Sequence, residues 1–387
     1  MSIKPGAMLG LLGGGQLGRM FTMAAQRMGY RVTVLDPAED SPAGNVAEHH
    51  LCADYLDYQA LDRLGSTCAG VTTEFENVPA QALRYLAQYC IVSPDAESVS
   101  ITQNRILEKQ FLAGNGFSVA PFTVIRNKKD ISGGIDASLF PGILKVSQFG
   151  YDGKGQVAVK SADALSAAFG SLKHEPCVLE KLLPLACEIS VILARGHDDQ
   201  ITFFPVAENR HLQGILDTSI VPARVPDEIT RHACKVAQQI ITRLNYIGVL
   251  CIEFFVLADG QLLINEIAPR PHNSGHYSLD ACITSQFEQQ VRVLCGIPPG
   301  STKLTQAAVM TNVLGDLWQN GEPDWNQVLR YPMVKLHLYG KHAAKPGRKM
   351  GHFTVLADTV EEALQHAQGI KNELQSQYNV YENQTSL

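Results

Sequence analysis

Residues 251–276 read Cys-Ile-Glu-Phe-Phe-Val-Leu-Ala-Asp-Gly-Gln-Leu-Leu-Ile-Asn-Glu-Ile-Ala-Pro-Arg-Pro-His-Asn-Ser-Gly-His. Two apolar runs flank Asp259-Gly260, a dipeptide suited to a two-residue hairpin turn because such turns demand positive φ. With those residues as the turn, Ala258 pairs with Gln261 and Glu253 falls directly opposite Glu266. Opposed side chains share one face of a sheet, so two carboxylates sit side by side on a strip that also carries Phe255, Leu257, Leu262 and Ile264. Like charges in apolar surroundings repel each other and lose hydration, which calls for a cation. Magnesium takes carboxylate and phosphate oxygens together and fits this pattern. The alternative is a pair of structural acids matched by basic side chains. Immediately downstream, Ala268-Pro-Arg270-Pro-His272-Asn273-Ser274-Gly275-His276 holds hydrogen-bonding side chains between prolines, as a site for a polar, phosphorylated ligand would.

Upstream of the hairpin, the loop Gly150-Tyr-Asp-Gly-Lys-Gly-Gln156 lies between two short apolar runs, the first containing Lys145. It departs from a Walker A loop, since Gln148 stands where that motif has its first glycine and Gly155 where it has Ser or Thr. Its glycines and lysine could fold over a triphosphate, or form a solvent-exposed hairpin. The segment Val178–Leu183 reads as a strand running into a linker, whose backbone could read an adenine edge while Glu180 or Glu188 takes ribose hydroxyls. Near the C-terminus, Lys341 and Lys345-Pro-Gly-Arg348-Lys349 concentrate positive charge around a Pro-Gly turn, a candidate phosphate clamp.

At the N-terminus, Gly13-Gly14-Gly15-Gln16-Leu17-Gly18 follows the apolar run Met8–Leu12 and opens a helical pattern, and Asp36 closes the next run. This satisfies the dinucleotide fingerprint. Its physical content is narrower: amides at a helix N-terminus approach some anion, or the glycines merely allow a tight turn. Further runs at Arg31–Leu35, Gly70–Thr73 and Cys90–Val92 alternate with helical patterns, which predicts a parallel sheet flanked by helices.

The chain has 387 residues and a formal net charge of −6, so two or three domains are expected and a broad nucleic-acid-binding surface is not. No run reads as a membrane span, since the longest, Val249–Leu257, is interrupted by Glu253. The nine cysteines are scattered without a Cys-x-x-Cys pair, which fits reduced thiols in the cytoplasm.

The order of motifs resembles the N5-carboxyaminoimidazole ribonucleotide synthase family of ATP-grasp enzymes. The resemblance rests on Gly14-Gly-Gln-Leu-Gly-Arg19, Glu74-Phe-Glu76, Gly150–Gln156, Asn265–His276 and Pro346-Gly-Arg-Lys349, and spans residues 8–352. It implies a mixed α/β and α+β chain: a Rossmann-like (pre-ATP-grasp) parallel sheet over residues 1–103, an ATP-grasp fold over 104–299 and a small strand-rich C-terminal domain over 300–387. It implies ATP and Mg2+ as cofactors, aminoimidazole ribonucleotide and bicarbonate as substrates, and a homodimer. Matching positions place the nucleotide at Arg105, Lys145, Tyr151, Asp152, Gly153, Lys154, Gly155, Gln156, Glu180, Lys181, Leu182, Leu183, Glu188, His211, Asn265 and Glu266, with Glu253 and Glu266 on the metal. They place the ribonucleotide at Gly15, Gln16, Leu17, Glu74, Arg270, His272, Asn273, Ser274, Lys341 and Arg348, and make Asp152, Lys154 and Arg270 the candidates for contact with the reacting groups. On these implications the glycine turn faces substrate. An ATP-grasp ligase of another acid or amine, or an NAD(P)-dependent oxidoreductase built on that turn, remain the competing readings.

Overall fold

The apolar runs at Met8–Leu12, Arg31–Leu35 and Gly70–Thr73 are buried along almost their whole length, as strands covered on both faces must be. In the computed structural model, which describes residues 2–150 and 153–384, they belong to a five-stranded parallel sheet. Its strands are β1 (Met8–Leu12), β2 (Arg31–Leu35), β3 (His49–Leu51), β4 (Gly70–Thr73) and β5 (Ile91–Val92), in the order β3-β2-β1-β4-β5.

A second, antiparallel sheet has four strands: β6 (Phe122–Ile125), β7 (Gly142–Val146), β8 (Gln156–Val159) and β9 (Cys177–Lys181), in the order β6-β9-β7-β8. Leu165, Ala168 and Phe169 of the helix Ala162–Ser171 close its core.

The third sheet is the largest. Its first strands are β10 (Leu185–Arg195), β11 (Ile201–Phe203), β12 (Ala207–Leu212), β13 (Ile215–Val221), β14 (Gly248–Leu257) and β15 (Leu262–Ala268). The strands β16 (Ala307–Leu314), β17 (Val334–Leu338) and β18 (Lys349–Ala357) complete it. The order is β15-β14-β10-β12-β13-β16-β18-β17, with β11 beside β10. The helix Asp227–Arg243 covers one face. Its Ala233, Ala237, Ile240 and Ile241 recur at helical spacing and pack on Ile252, Phe254 and Val256.

The strands of the C-terminal segment have no sheet of their own, because β16 pairs antiparallel with β13 and so continues the central sheet. The helix Gln286–Leu294 also crosses the expected boundary: Phe287, Val291 and Leu294 fill the core of the N-terminal unit beside Phe21 and Ala25. Among the described residues, no helix is long and apolar enough to cross a membrane.

The β14–β15 hairpin departs from the register that a two-residue turn would set. The connection has three residues, Ala258-Asp259-Gly260, with Gly260 at φ 83° and Leu257 N–H donating to Gln261 O at 2.9 Å. Val256 therefore pairs with Leu262, Phe255 with Leu263 and Phe254 with Ile264, one residue away from the expected pairing. A β-bulge at Asn265 absorbs the slip and restores Glu253 opposite Glu266. The acids face each other as expected, by a different route. Leu262 and Ile264 consequently point to the opposite face, into the core under the Asp227–Arg243 helix, and Leu263 takes their place beside Phe255.

Candidate active site

The bulge puts the Asn265 side chain on the same side as Glu253, with Nδ2 donating to Glu253 Oε2 at 3.3 Å. Asn265 Oδ1 is buried and has no hydrogen-bond partner. Burial raises the Glu253 pKa and the adjacent Glu266 raises it further, to about 7. Burial also pushes Glu266 upward, but Arg105 and Lys145 outweigh it and hold that carboxyl below its usual range. Arg105 Nη2 donates to Glu266 Oε2 at 2.7 Å. One acid of the pair is thus matched by a base and the other lacks a cation. Two carboxylates and an amide oxygen without a donor form a hard-oxygen set of the kind magnesium takes, so the residues present fit that ion.

Arg105 begins the helix Arg105–Gly114, whose N-cap Asn104 accepts from Ile106 N and Leu107 N. Its guanidinium also reaches Glu180 Oε1 at 3.3 Å, while Lys145 Nζ donates to Glu180 Oε2 at 3.1 Å and Lys109 Nζ lies 3.5 Å away. Burial alone would raise Glu180, but Lys145, Lys109 and Arg105 pull it to about 2. That carboxylate is therefore engaged from within the fold by Arg105, Lys109 and Lys145. Glu188 remains near the rim, 3.2 Å from His211 Nδ1. Burial lowers the His211 pKa, but Glu188 more than offsets this and keeps it raised. The linker Lys181-Leu182-Leu183 is pinned through Lys181 N to Pro121 O and Leu182 N to Pro141 O, both at 2.9 Å. Gly153 packs against Gln213 and Gly214, so this loop reaches the β12–β13 turn; Lys154 and Gln156 are exposed, and Gly155 O accepts from Val146 N. Tyr151 and Asp152 lie outside the described residues.

The N-terminal glycine turn behaves differently. Gly14 N donates to Asp36 Oδ2 at 2.7 Å, Gly15 N to Glu74 Oε1 at 2.7 Å and Gly18 N to Glu74 Oε2 at 2.9 Å. The amides that would receive a pyrophosphate hold the chain's own carboxylates, which removes the structural basis of the dinucleotide reading. Leu17 is buried, and Gly15 and Gln16 are partly exposed.

Arg270 pairs with Glu76, joining the segment after β15 to the N-terminal unit. His272 spans two sites: Nδ1 lies 2.8 Å from Ser274 Oγ and Nε2 3.6 Å from Glu253 Oε1. Burial, with Arg270 next in effect, holds its pKa well below the usual value, so the ring is neutral. Asn273 exchanges hydrogen bonds with Asn312 of β16 at 3.1 and 2.8 Å, and Ser274 Oγ accepts from Ser190 Oγ at 2.7 Å. Both side chains turn inward and order the turn instead of lining open space.

The basic turn is anchored by its neighbours. Gly315 N donates to Arg348 O and Gly347 N to Asp316 Oδ2, both at 2.8 Å. A Cβ at Gly315 would lie 2.3 Å from Lys345 O, so only glycine allows this approach. Lys341 Nζ donates to Lys349 O and Arg348 Nη1 to Ala343 O, each at 2.7 Å. His342 Nε2 stands 3.3 Å from Asp40 Oδ2, which brings this turn to the N-terminal unit. Sequence reasoning missed Glu108 and Lys109, fully interior charged residues on the Arg105 helix, and the pairing of Glu76. The signal for the first two was their spacing, three and four residues after Arg105, on the face that carries the buried Leu112.

Three family models match along the chain: the ribonucleotide synthetase preATP-grasp domain over residues 7–103, the ATP-grasp domain over 110–287 and the phosphoribosylaminoimidazole carboxylase C-terminal domain over 308–366. The N5-carboxyaminoimidazole ribonucleotide synthase of Bacillus subtilis (strain 168) is 43% identical over 363 residues, covering 94% of this chain and 95% of that protein. Its namesake in Staphylococcus aureus (strain N315) is 42% identical over 364 residues, covering 94% and 96%. The S. aureus N5-carboxyaminoimidazole synthetase crystal structure with ADP superposes with a TM-score of 0.89 at 40% identity, over 95% of this chain and 98% of that one. The Aspergillus clavatus enzyme, crystallised with ADP and 5-aminoimidazole ribonucleotide, gives 0.86 at 32% identity, over 96% and 99%.

Proposed function

The chain belongs to the N5-carboxyaminoimidazole ribonucleotide synthase family of ATP-grasp ligases and carboxylates 5-aminoimidazole ribonucleotide at the expense of ATP in purine biosynthesis; we propose that bicarbonate is the carboxyl source and that the residues described above divide the work. The observation that carries this assignment is the Glu253–Glu266 pair facing Arg105 and Lys145.

Bicarbonate is a poor electrophile because hydroxide leaves badly. A bicarbonate oxygen bonds to the γ-phosphorus as the bond to ADP breaks, giving carboxyphosphate. The ribonucleotide amine then bonds to the carboxyl carbon, phosphate departs with the electron pair, and the amine gives up a proton. Glu253, Glu266 and Asn265 Oδ1 would hold Mg2+, which when bound supplies charge neutralisation at the phosphates. Arg105 and Lys145 bind and orient the polyphosphate, supported by the shared anchor Glu180. Arg270, fixed by Glu76, stands between the acids and the N-terminal unit and is assigned to the reacting groups with Lys154. Asp152 joins them on family resemblance alone. Lys341 and Arg348 are assigned to the ribonucleotide 5′-phosphate, and the ordered His272–Ser274 turn to its ring side. Nine free thiols support a reducing compartment, for which we infer the cytoplasm, and a homodimer is proposed from family membership.

The test is phosphate release from ATP with bicarbonate, with and without aminoimidazole ribonucleotide. Release should rise with both substrates present and be matched by carboxylated product. Equal release without the ribonucleotide would refute the coupling.

A further inference from the structure

β15 is the terminal strand of its sheet. Along the edge turned away from β14, Ile264 meets a short backbone bridge, its N–H donating to Ser118 O at 2.9 Å beside Val119, and among the described residues no named strand continues that pairing past Ile264. The bulge turns two peptide groups onto that edge, the Asn265 carbonyl and the Ile267 amide, which flank Glu266. Exposed edge groups leave a strand free to shift, and buried ones without partners are costly. Here both are taken by consecutive side chains of one helix. Lys109 Nζ donates to Asn265 O at 3.0 Å, and Glu108 Oε1 accepts from Ile267 N at 2.5 Å. Both side chains are interior, Lys109 at 0% and Glu108 at 2% exposure. Four residues before Lys109 on the same helix face, Arg105 grips the Glu266 carboxylate itself. One helix face therefore holds Glu266 at its carboxylate and at the peptide groups on either side.

We propose that Glu108 and Lys109 are positioning residues that act as a surrogate neighbouring strand, locking the bulge so that Glu266 and Asn265 present their oxygens to the cation. This rests on the assignment of Glu266 to the metal. Lys109 also lies 3.5 Å from Glu180, so a plain structural role in the charge cluster is the competing account.

The experiment is calorimetric titration of the full-length protein with ADP, in Mg2+ and in EDTA, on Lys109→Met, Glu108→Leu and Glu108→Gln. Loss of partners that orient a metal ligand costs about 10- to 100-fold in metal affinity. Lys109→Met and Glu108→Leu should weaken ADP by that factor in Mg2+ and change it little in EDTA. Glu108→Gln keeps an acceptor for the Ile267 amide and should stay within about twofold of wild type, since that hydrogen bond survives. In the Glu266→Gln background the effects should vanish, because coupled residues are not additive. Amide exchange at Ile267 should quicken in Glu108→Leu but not in Glu108→Gln. Equal weakening with and without Mg2+, or the same loss in the Glu266→Gln background, overturns the proposal. If Glu266→Gln itself leaves Mg2+-dependent ADP binding intact, it is the metal assignment that fails. Should Lys109→Met not fold, the two Glu108 variants carry the comparison.

Discussion

The glycine turn at residues 13–18 and the β14–β15 hairpin both set buried carboxylates beside backbone and charge, with opposite results. At the turn, Asp36 and Glu74 accept three amide protons from the opening of the helix Gln16–Arg27, so the anion site is filled from within. At the hairpin, Glu253 receives one amide hydrogen bond and no cation, Asn265 Oδ1 receives nothing, and the acid's pKa stands raised to about 7. Each oxygen of Glu74 already has a backbone donor from within the fold. A carboxylate left under-satisfied, as Glu253 is, keeps capacity for a ligand.

The comparison breaks most readily at the hairpin. Glu253→Gln and Glu266→Gln should each lower ATP-dependent turnover by about 10²–10³-fold, the scale for removing one electrostatic contributor to a transition state. Circular dichroism should remain native and excess Mg2+ should restore little. Turnover near wild type at limiting Mg2+ would return that acid to a structural role.

The second test asks which region holds the substrate phosphate. If it is the basic turn, Arg348→Ala removes a hydrogen bond to a charged group, about 1.5–3 kcal/mol, and raises KM for the ribonucleotide roughly 10- to 150-fold with KM for ATP nearly unchanged. An equal rise in both constants would detach Arg348 from the phosphate.

At the glycine turn the expected effect is on stability. Glu74→Gln keeps one acceptor and strands one of the two amides, costing about 1–3 kcal/mol in denaturant unfolding. ADP affinity should not change, because the turn's carboxylate is remote in role from the nucleotide. A loss of ADP binding would merge the two regions.

The smallest effect is a pH slope. Glu253 has an ordinary value of 4.5 and about 7 in the fold, with Glu108 raised to the same value by burial. A raised carboxyl contributes stability that is complete below pH 4.5 and is lost as pH rises through about 7. Unfolding free energy without ligand should fall across that window and flatten above it, with Glu253→Gln showing a shallower decline and the Glu108 part remaining. Mg2+-dependent ADP binding should run the other way and strengthen up to about pH 7, because binding the cation requires the carboxylate. A flat titration of both quantities would place the Glu253 proton elsewhere.

Much of this was legible along the chain. The alternation of apolar runs gave the parallel sheet, and Glu253 and Glu266 were paired from hairpin spacing, because strand periodicity and turn chemistry act over a few residues. Hairpin spacing predicts the pair but not the three-residue turn. A three-residue loop and a bulge shift the register by one in opposite senses, and Asn265 carries no local mark of a bulge. The glycine fingerprint was ambiguous for a related reason: its pattern specifies a helix N-terminus that can face an anion and leaves open whose anion.

The sequence by itself determined the element types, the order of motifs and the two opposed acids, since each follows from neighbours in the chain. Tertiary structure decided everything that depends on partners far along it. Glu74 reaches the glycine turn across 59 residues, Lys109 the Asn265 carbonyl across 156 and Arg105 the Glu266 carboxylate across 161. Likewise β16 joins β13 and the Gln286–Leu294 helix fills the N-terminal core only once the sheets have packed. Local propensity sets backbone conformation. Which buried charge meets which backbone group is set by the close packing of segments that share no neighbourhood in sequence, where every polar group removed from water must find its partner.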